Sequence, residues 1–166
     1  FEAAVKAYPN AKWRIAVLHH SAYSAYYDEG EFVFERSVFA PLFDTYDIDL
    51  ALSGHDHMYS CTYPVYSGEI NDNGTVYLQA SSASGGNIYG AKQNLGVIRY
   101  AFDEAVATYT ALSFKGDNLT IETYRTDTDA KVDSVTLTKT EKQSKTAIEY
   151  FIEWFRCFIK TFSAML

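Results

Sequence analysis

Apolar and polar positions follow three regimes along this chain. Near the start, Trp13-Arg-Ile-Ala-Val-Leu-His-His20 places Ile15 to Leu18 in unbroken succession. Such a run suits a strand buried on both faces, as in a parallel sheet with helices over it. Before it, residues 1–13 read as a short helix stopped at Pro9-Asn10. After it, a Tyr- and Ser-rich loop leads into FVFERSVFAPLFDTY, where Val33, Phe34, Val38, Leu42 and Phe43 fit one helix face and Pro41 predicts a break. Ile48, Leu50 and Leu52 then alternate as a second strand. Strand, loop, helix, strand is a βαβ crossover. It predicts two parallel strands ending at the same sheet edge, where open α/β sheets place their sites.

The second regime is antiparallel. GTVYLQASSASGG and LGVIRYAF read as further strands, and residues 106–140 alternate polar and apolar across turns at Lys115-Gly116-Asp117-Asn118 and near Thr126-Asp127. That pattern predicts a meander with one solvated face. The third regime is helical: Ile148, Phe151, Ile152, Phe155, Phe158 or Ile159, and Phe162 recur at helix spacing. No repeat or linker divides the chain, so the expected organisation is one domain over 1–140 followed by an aromatic-rich amphipathic helix over 141–166. Burying each large apolar side chain of that stripe is worth about 1.5–3 kcal/mol, so the helix is expected to pack. Its cover would be this domain's sheet or the same helix of a second chain. Membrane docking is disfavoured, because Glu149 and Glu153 share the polar side with Arg156 and Lys160.

Composition narrows the picture. With 166 residues, 48% hydrophobic and 16% aromatic, the chain can fill a core. A net charge of −7 without a Lys/Arg stripe argues against nucleic acid as partner. Cys61 and Cys157 form no paired motif. No run of about 18 apolar residues is present to span a bilayer, and no signal peptide opens the chain. It begins without Met inside a helical pattern, which suggests a piece of a longer protein.

All four histidines fall in two clusters, His19-His20 and His55-x-His57, each behind a predicted strand. A lone core histidine is usually a satisfied structural group. Here, residues two apart in an extended chain project the same way, Gly54 permits a sharp turn off the strand, and the other strand end brings His19 or His20 close. The pattern therefore favours a metal over a packing role, since imidazole suits zinc, iron, manganese and nickel.

WRIAVLHHSAYSA together with LALSGHDHMYS, and later GTVYLQASSASGG, resembles the C-terminal half of calcineurin-like metallophosphoesterases, most closely the purple acid phosphatase branch. The resemblance spans about residues 1–105 and implies half of an αββα sandwich. It implies a dinuclear centre (Fe, Zn or Mn) whose hydroxide attacks a phosphate ester in line. It places His19 and His55 on one metal, His57 on the other, and His20 beside the phosphate. It further implies a location outside the cell or at its surface. The family's carboxylate motifs, D-x-[HT], G-D-x-x-Y and G-N-H, do not occur in this chain. The N-terminal half that carries them is thus an expected partner, and the isolated chain is expected to be inactive. Where plant relatives place a His pair before an E-G-E, Tyr26, Tyr27 and Asp28 precede Glu29-Gly30-Glu31 here. Ser60 and Cys61 follow Tyr59, where relatives often carry Arg.

Two other readings compete. His19, His55 and His57 with a water would make a mononuclear zinc hydrolase. Alternatively, Tyr23, Tyr26, Tyr27, Tyr59, Tyr63 and Tyr66 would form a non-enzymatic contact surface. A homodimer, through the C-terminal helix or the surface left by the absent half, completes the expected partners. Cys61 reads as a small packed residue rather than a nucleophile.

Overall fold

The computed structural model describes residues 1–26, 32–92 and 95–139, together with Ile152, Phe155 and Ile159. Its elements are α1 (Glu2–Ala7), β1 (Ile15–Val17), α2 (Val33–Thr45), β2 (Leu50–Ser53), β3 (Tyr59–Thr62), β4 (Val65–Tyr66), β5 (Glu69–Ile70), β6 (Val76–Gln79), β7 (Ile98–Phe102), β8 (Thr108–Lys115), β9 (Asn118–Arg125) and β10 (Lys131–Thr138). The fold is mixed α/β, with parallel strands first and antiparallel strands after, as expected.

β1 pairs with β2 in parallel, Ile15 opposite Leu50 and Val17 opposite Leu52, which completes the βαβ unit read from the sequence. β2 pairs in parallel with β6. β3 joins β6 and β7 antiparallel, giving the order β1-β2-β6-β3-β7. Strand alternation divides the core between the two faces of this sheet. Ala16, Ala51 and Tyr77 pack toward Ala40 and Phe43 of α2. Leu50, Val76, Leu78, Tyr59 and Cys61 pack toward Leu119 and Ile121 of the β10-β9-β8 meander. Helix, mixed sheet and meander thus form three layers.

The break expected at Pro41 does not occur, for α2 runs through it. Proline removes one backbone donor, which ordinarily costs a helix interior about 3 kcal/mol or more. Here Ala40, Pro41 and Phe43 are buried, and Thr45 Oγ1 donates to the Pro41 carbonyl at 2.7 Å. Tertiary burial outweighs the local penalty. β3 escapes the periodicity because all four of its residues are buried, so it shows no alternation. Gly74 is required by close approach: a Cβ there would lie 2.3 Å from the Val65 carbonyl carbon, across the Val65–Thr75 bridge.

The meander matches its sequence pattern. Leu119, Ile121 and Thr123 of β9 point inward and are buried, and Gly116 turns the β8–β9 hairpin with φ +60°. Tyr59 Oη donates to Asp133 Oδ2 at 2.7 Å, and Arg99 pairs with the same carboxylate. These contacts join the main sheet to β10. Cys61 is fully buried with a free thiol, and burial pushes that thiol above its ordinary pKa. A packed residue, rather than a nucleophile, fits those surroundings. Of the C-terminal segment, Ile152, Phe155 and Ile159 are helical and 42–48% exposed. The rest of 141–166, Cys157 included, lies outside the described residues.

Candidate metal centre

Parallel pairing brings the two histidine clusters to one edge. The Leu18 amide donates to Leu52 O at 3.0 Å, and the Gly54 amide donates to His19 O at 3.0 Å. The β1–β2 ladder therefore continues past the strand ends and fixes residues 19 and 54 side by side. His19, His20 and His55 each offer one donor atom, and those atoms lie within 4.8 Å of one another. His19 Nε2 and His55 Nδ1 are 3.3 Å apart. The His20 and His55 ring centroids are 4.2 Å apart.

His57 goes elsewhere. Its ring stacks on Tyr89 at 5.0 Å, 18° from parallel, and its Nδ1 lies 3.1 Å from Asn87 O. A carbonyl only accepts, so Nδ1 carries the proton and Nε2 keeps its lone pair. Of the residues expected around one small volume, His19 and His55 meet there together with His20, while His57 makes the contacts with Tyr89 and Asn87. His55 and His57 have φ of +79° and +54°, so the chain between them is not the extended one that the spacing argument assumes. Gly54 also plays a smaller part than expected. A Cβ there would meet only His19 Nδ1, at 4.0 Å, and the left-handed turn falls on the histidines themselves.

Left-handed non-glycine residues are strained and persist where surrounding structure over-determines them. Here Gln79 Nε2 donates to Gly54 O at 2.5 Å, and Ser24 Oγ donates to Asp56. Asp56 is completely buried beneath the histidines, and burial pushes its carboxyl above the usual range against the hydrogen bond from Ser24. Its Oδ1 and Gln79 Oε1 have no hydrogen-bond partner among the described residues. The Asp between the histidines therefore acts as a buried post under the loop, a role that H-x-H spacing did not suggest.

Glu35, on the first turn of α2, was also missed. Its Oε1 accepts from His20 Nδ1 at 3.0 Å. Burial raises this carboxyl, but the hydrogen bonds from His20 and its own backbone outweigh that and leave it below the ordinary value. Phe32 meets the His20 ring edge-on at 5.7 Å. For His55, burial first and then the charge of His20 push the imidazole below its ordinary value, which favours the neutral form a metal needs. Three nitrogen donors of this kind suit a divalent transition ion. Among the described residues no carboxylate or thiol joins the group.

The tyrosine surface fares less well, because Tyr23 and Tyr59 are core residues at 5% and 1% exposure. Tyr63 is exposed, while Tyr27 lies outside the described residues, as do Asp28 and Glu29-Gly30-Glu31.

Residues 2–59 match the Metallophos family, calcineurin-like phosphoesterase. Purple acid phosphatase PPD1 from yellow lupin (Lupinus luteus) seeds is similar at a TM-score of 0.64 and 18% identity, over 88% of this chain and 31% of that one. GAP50, the anchor in the inner membrane complex of Plasmodium, is similar at 0.65 and 15% identity, over 89% of this chain and 43% of that one. The chain thus spans less than half the length of either structure, and at these identities the likeness establishes the fold. No curated protein sequence matches the chain.

Proposed function

We propose, from the match of residues 2–59 to the calcineurin-like phosphoesterase model and from the metallophosphoesterase-like fold, that the chain forms the C-terminal half of a dinuclear metal-dependent phosphatase. The observation that carries this reading is the 3.3 Å approach of His19 Nε2 to His55 Nδ1 at the ends of parallel strands. His19 and His55 would hold one ion, and His57, with Nε2 free, would hold the other. Two such ions (Fe, Zn or Mn) supply an activated hydroxide for in-line attack on phosphorus and neutralise the phosphate oxygens. His20 stands beside the cluster on the phosphate side, its Nδ1 engaged by Glu35. The substrate is a phosphate ester, with acid phosphatase as the finer assignment. The remaining ligands come from an N-terminal half bearing the carboxylate motifs. We place the parent outside the cell or at its surface. Among the described residues no helix is long and apolar enough to cross a membrane.

The test is hydrolysis of p-nitrophenyl phosphate with added Fe, Zn or Mn. The chain alone should give trace turnover, and the parent polypeptide ordinary enzyme rates that fall by orders of magnitude in His57→Ala. Robust turnover by the chain alone would overturn the half-site reading and favour a mononuclear enzyme. Self-association through the helical face of Ile152, Phe155 and Ile159, or through the face the N-terminal half would cover, is tested by sedimentation velocity with and without residues 141–166. A monomer in both forms would refute it.

A further inference from the structure

We infer that His20, oriented by Glu35, is a third nitrogen ligand, so that His19, His20 and His55 bind one late first-row divalent cation, no carboxylate or thiol among the described residues joining them. This rests on the metal reading of the cluster and deepens it by moving His20 from the phosphate side into the ligand set. Three observations carry it. First, the spacing fits the ion. Two nitrogens on a tetrahedral zinc with bonds of about 2.0–2.1 Å sit about 3.3–3.4 Å apart. His19 Nε2 and His55 Nδ1 already stand 3.3 Å apart, and the His20 donor lies within 4.8 Å of both.

Second, His20 is held as ligating histidines are held. A carboxylate that accepts from one ring nitrogen fixes the tautomer and raises the basicity of the other. Glu35 Oε1 accepts from His20 Nδ1 at 3.0 Å, so Nε2 is the lone-pair atom. Phe32 fixes the ring plane from the side.

Third, the donor set selects the cation. Three imidazoles without an oxygen ligand favour zinc, cobalt, nickel or copper over magnesium or calcium. The side chain of His20 is 43% exposed and His19 is exposed, so the outer side of the cluster is open to water as the fourth ligand.

The experiment is isothermal titration of Zn²⁺ into the full chain, purified without a histidine tag and stripped of metal, with Co²⁺ visible absorption as a second readout. Wild type should bind one equivalent of Zn²⁺, give tetrahedral Co²⁺ bands and show no heat with Mg²⁺. His20→Ala should weaken Zn²⁺ by 100-fold or more. Glu35→Gln, which keeps size and helix, should weaken it by about 10–100-fold. Far-UV circular dichroism and urea midpoints establish that each variant is folded. Zinc affinity unchanged in both His20→Ala and Glu35→Gln, with His19→Ala abolishing it, would overturn the role of His20 and leave the metal reading standing. Affinity unchanged in all three variants would overturn both.

Discussion

The meander and the histidine edge are built from opposite materials. In β8–β10 each residue's orientation follows from its neighbours: Leu119, Ile121 and Thr123 point inward, the polar residues between them point outward, and a glycine turns the hairpin. At the histidine edge, nothing local explains the geometry. Two histidines occupy left-handed backbone, a carboxylate is buried without exposure to water, and the donor atoms that meet come from positions 36 residues apart. The meander is stabilised by burial, whereas the edge is strained and is held by what surrounds it. Strain concentrated where chemistry is expected, beside a regular supporting layer, is how a rigid scaffold keeps a site preorganised.

The largest effect that tests this contrast lies in the meander. Ile121→Ala removes a fully buried side chain from the face shared with Leu50 and Leu78 and should destabilise the chain by about 2–5 kcal/mol in urea unfolding. Zinc affinity of the folded fraction should not change. If it fell as well, the two regions would be one energetic unit and the comparison would fail.

A smaller loss is expected under the edge. Ser24→Ala leaves Asp56 buried without its donor and frees the Tyr26 amide, which bonds Ser24 Oγ at 3.0 Å. The expected cost is about 1–3 kcal/mol. Unlike Ile121→Ala, it should also weaken zinc binding, because the loop carrying His55 loses its support. Equal stability and equal affinity to wild type would show that Asp56 is not the post under this loop.

Tyr59→Phe probes the seam between the two regions. It removes the 2.7 Å bond to Asp133 while Arg99 stays paired with that carboxylate, so about 0.5–1.5 kcal/mol should be lost. A loss comparable to Ile121→Ala would place the seam, and not the core, at the centre of stability.

The smallest effect is at the exposed end of the meander. Hydrogen bonding from Arg125 holds the Asp127 carboxyl at about 2, below its ordinary 3.8. A carboxyl depressed in the folded state contributes stability above the unfolded pKa and loses it as pH falls through the folded one. The contribution is therefore full above pH 3.8 and disappears toward pH 2. Carboxyl chemical shifts followed by NMR should show that midpoint, and Arg125→Ala should return it to the ordinary range. An unshifted midpoint in the wild type would show that the turn is held by hydrogen bonds of its backbone alone.

Periodicity made the parallel βαβ unit, the meander and its turns legible, because burial of one face imposes a period of two on a strand and about three and a half on a helix. The same signal failed at Pro41, where tertiary burial overrode a local breaker, and at β3, where burial on both faces erased alternation. The four histidines could be found by residue type alone, since few other side chains suit a transition ion. Which of them meet was a different matter. Spacing brought His19 or His20 toward His55 and His57, and in the structure His19, His20 and His55 meet, on a loop with positive φ at 55 and 57 that Gln79 and Ser24 hold. Glu35 was unreadable beforehand, for a glutamate on a helix is ordinarily solvated. The sequence determined the elements and the chemistry available at one sheet edge. Only the tertiary structure decided which donors converge there, because backbone conformation in a strained loop is set by distant partners and leaves no periodic trace in the chain.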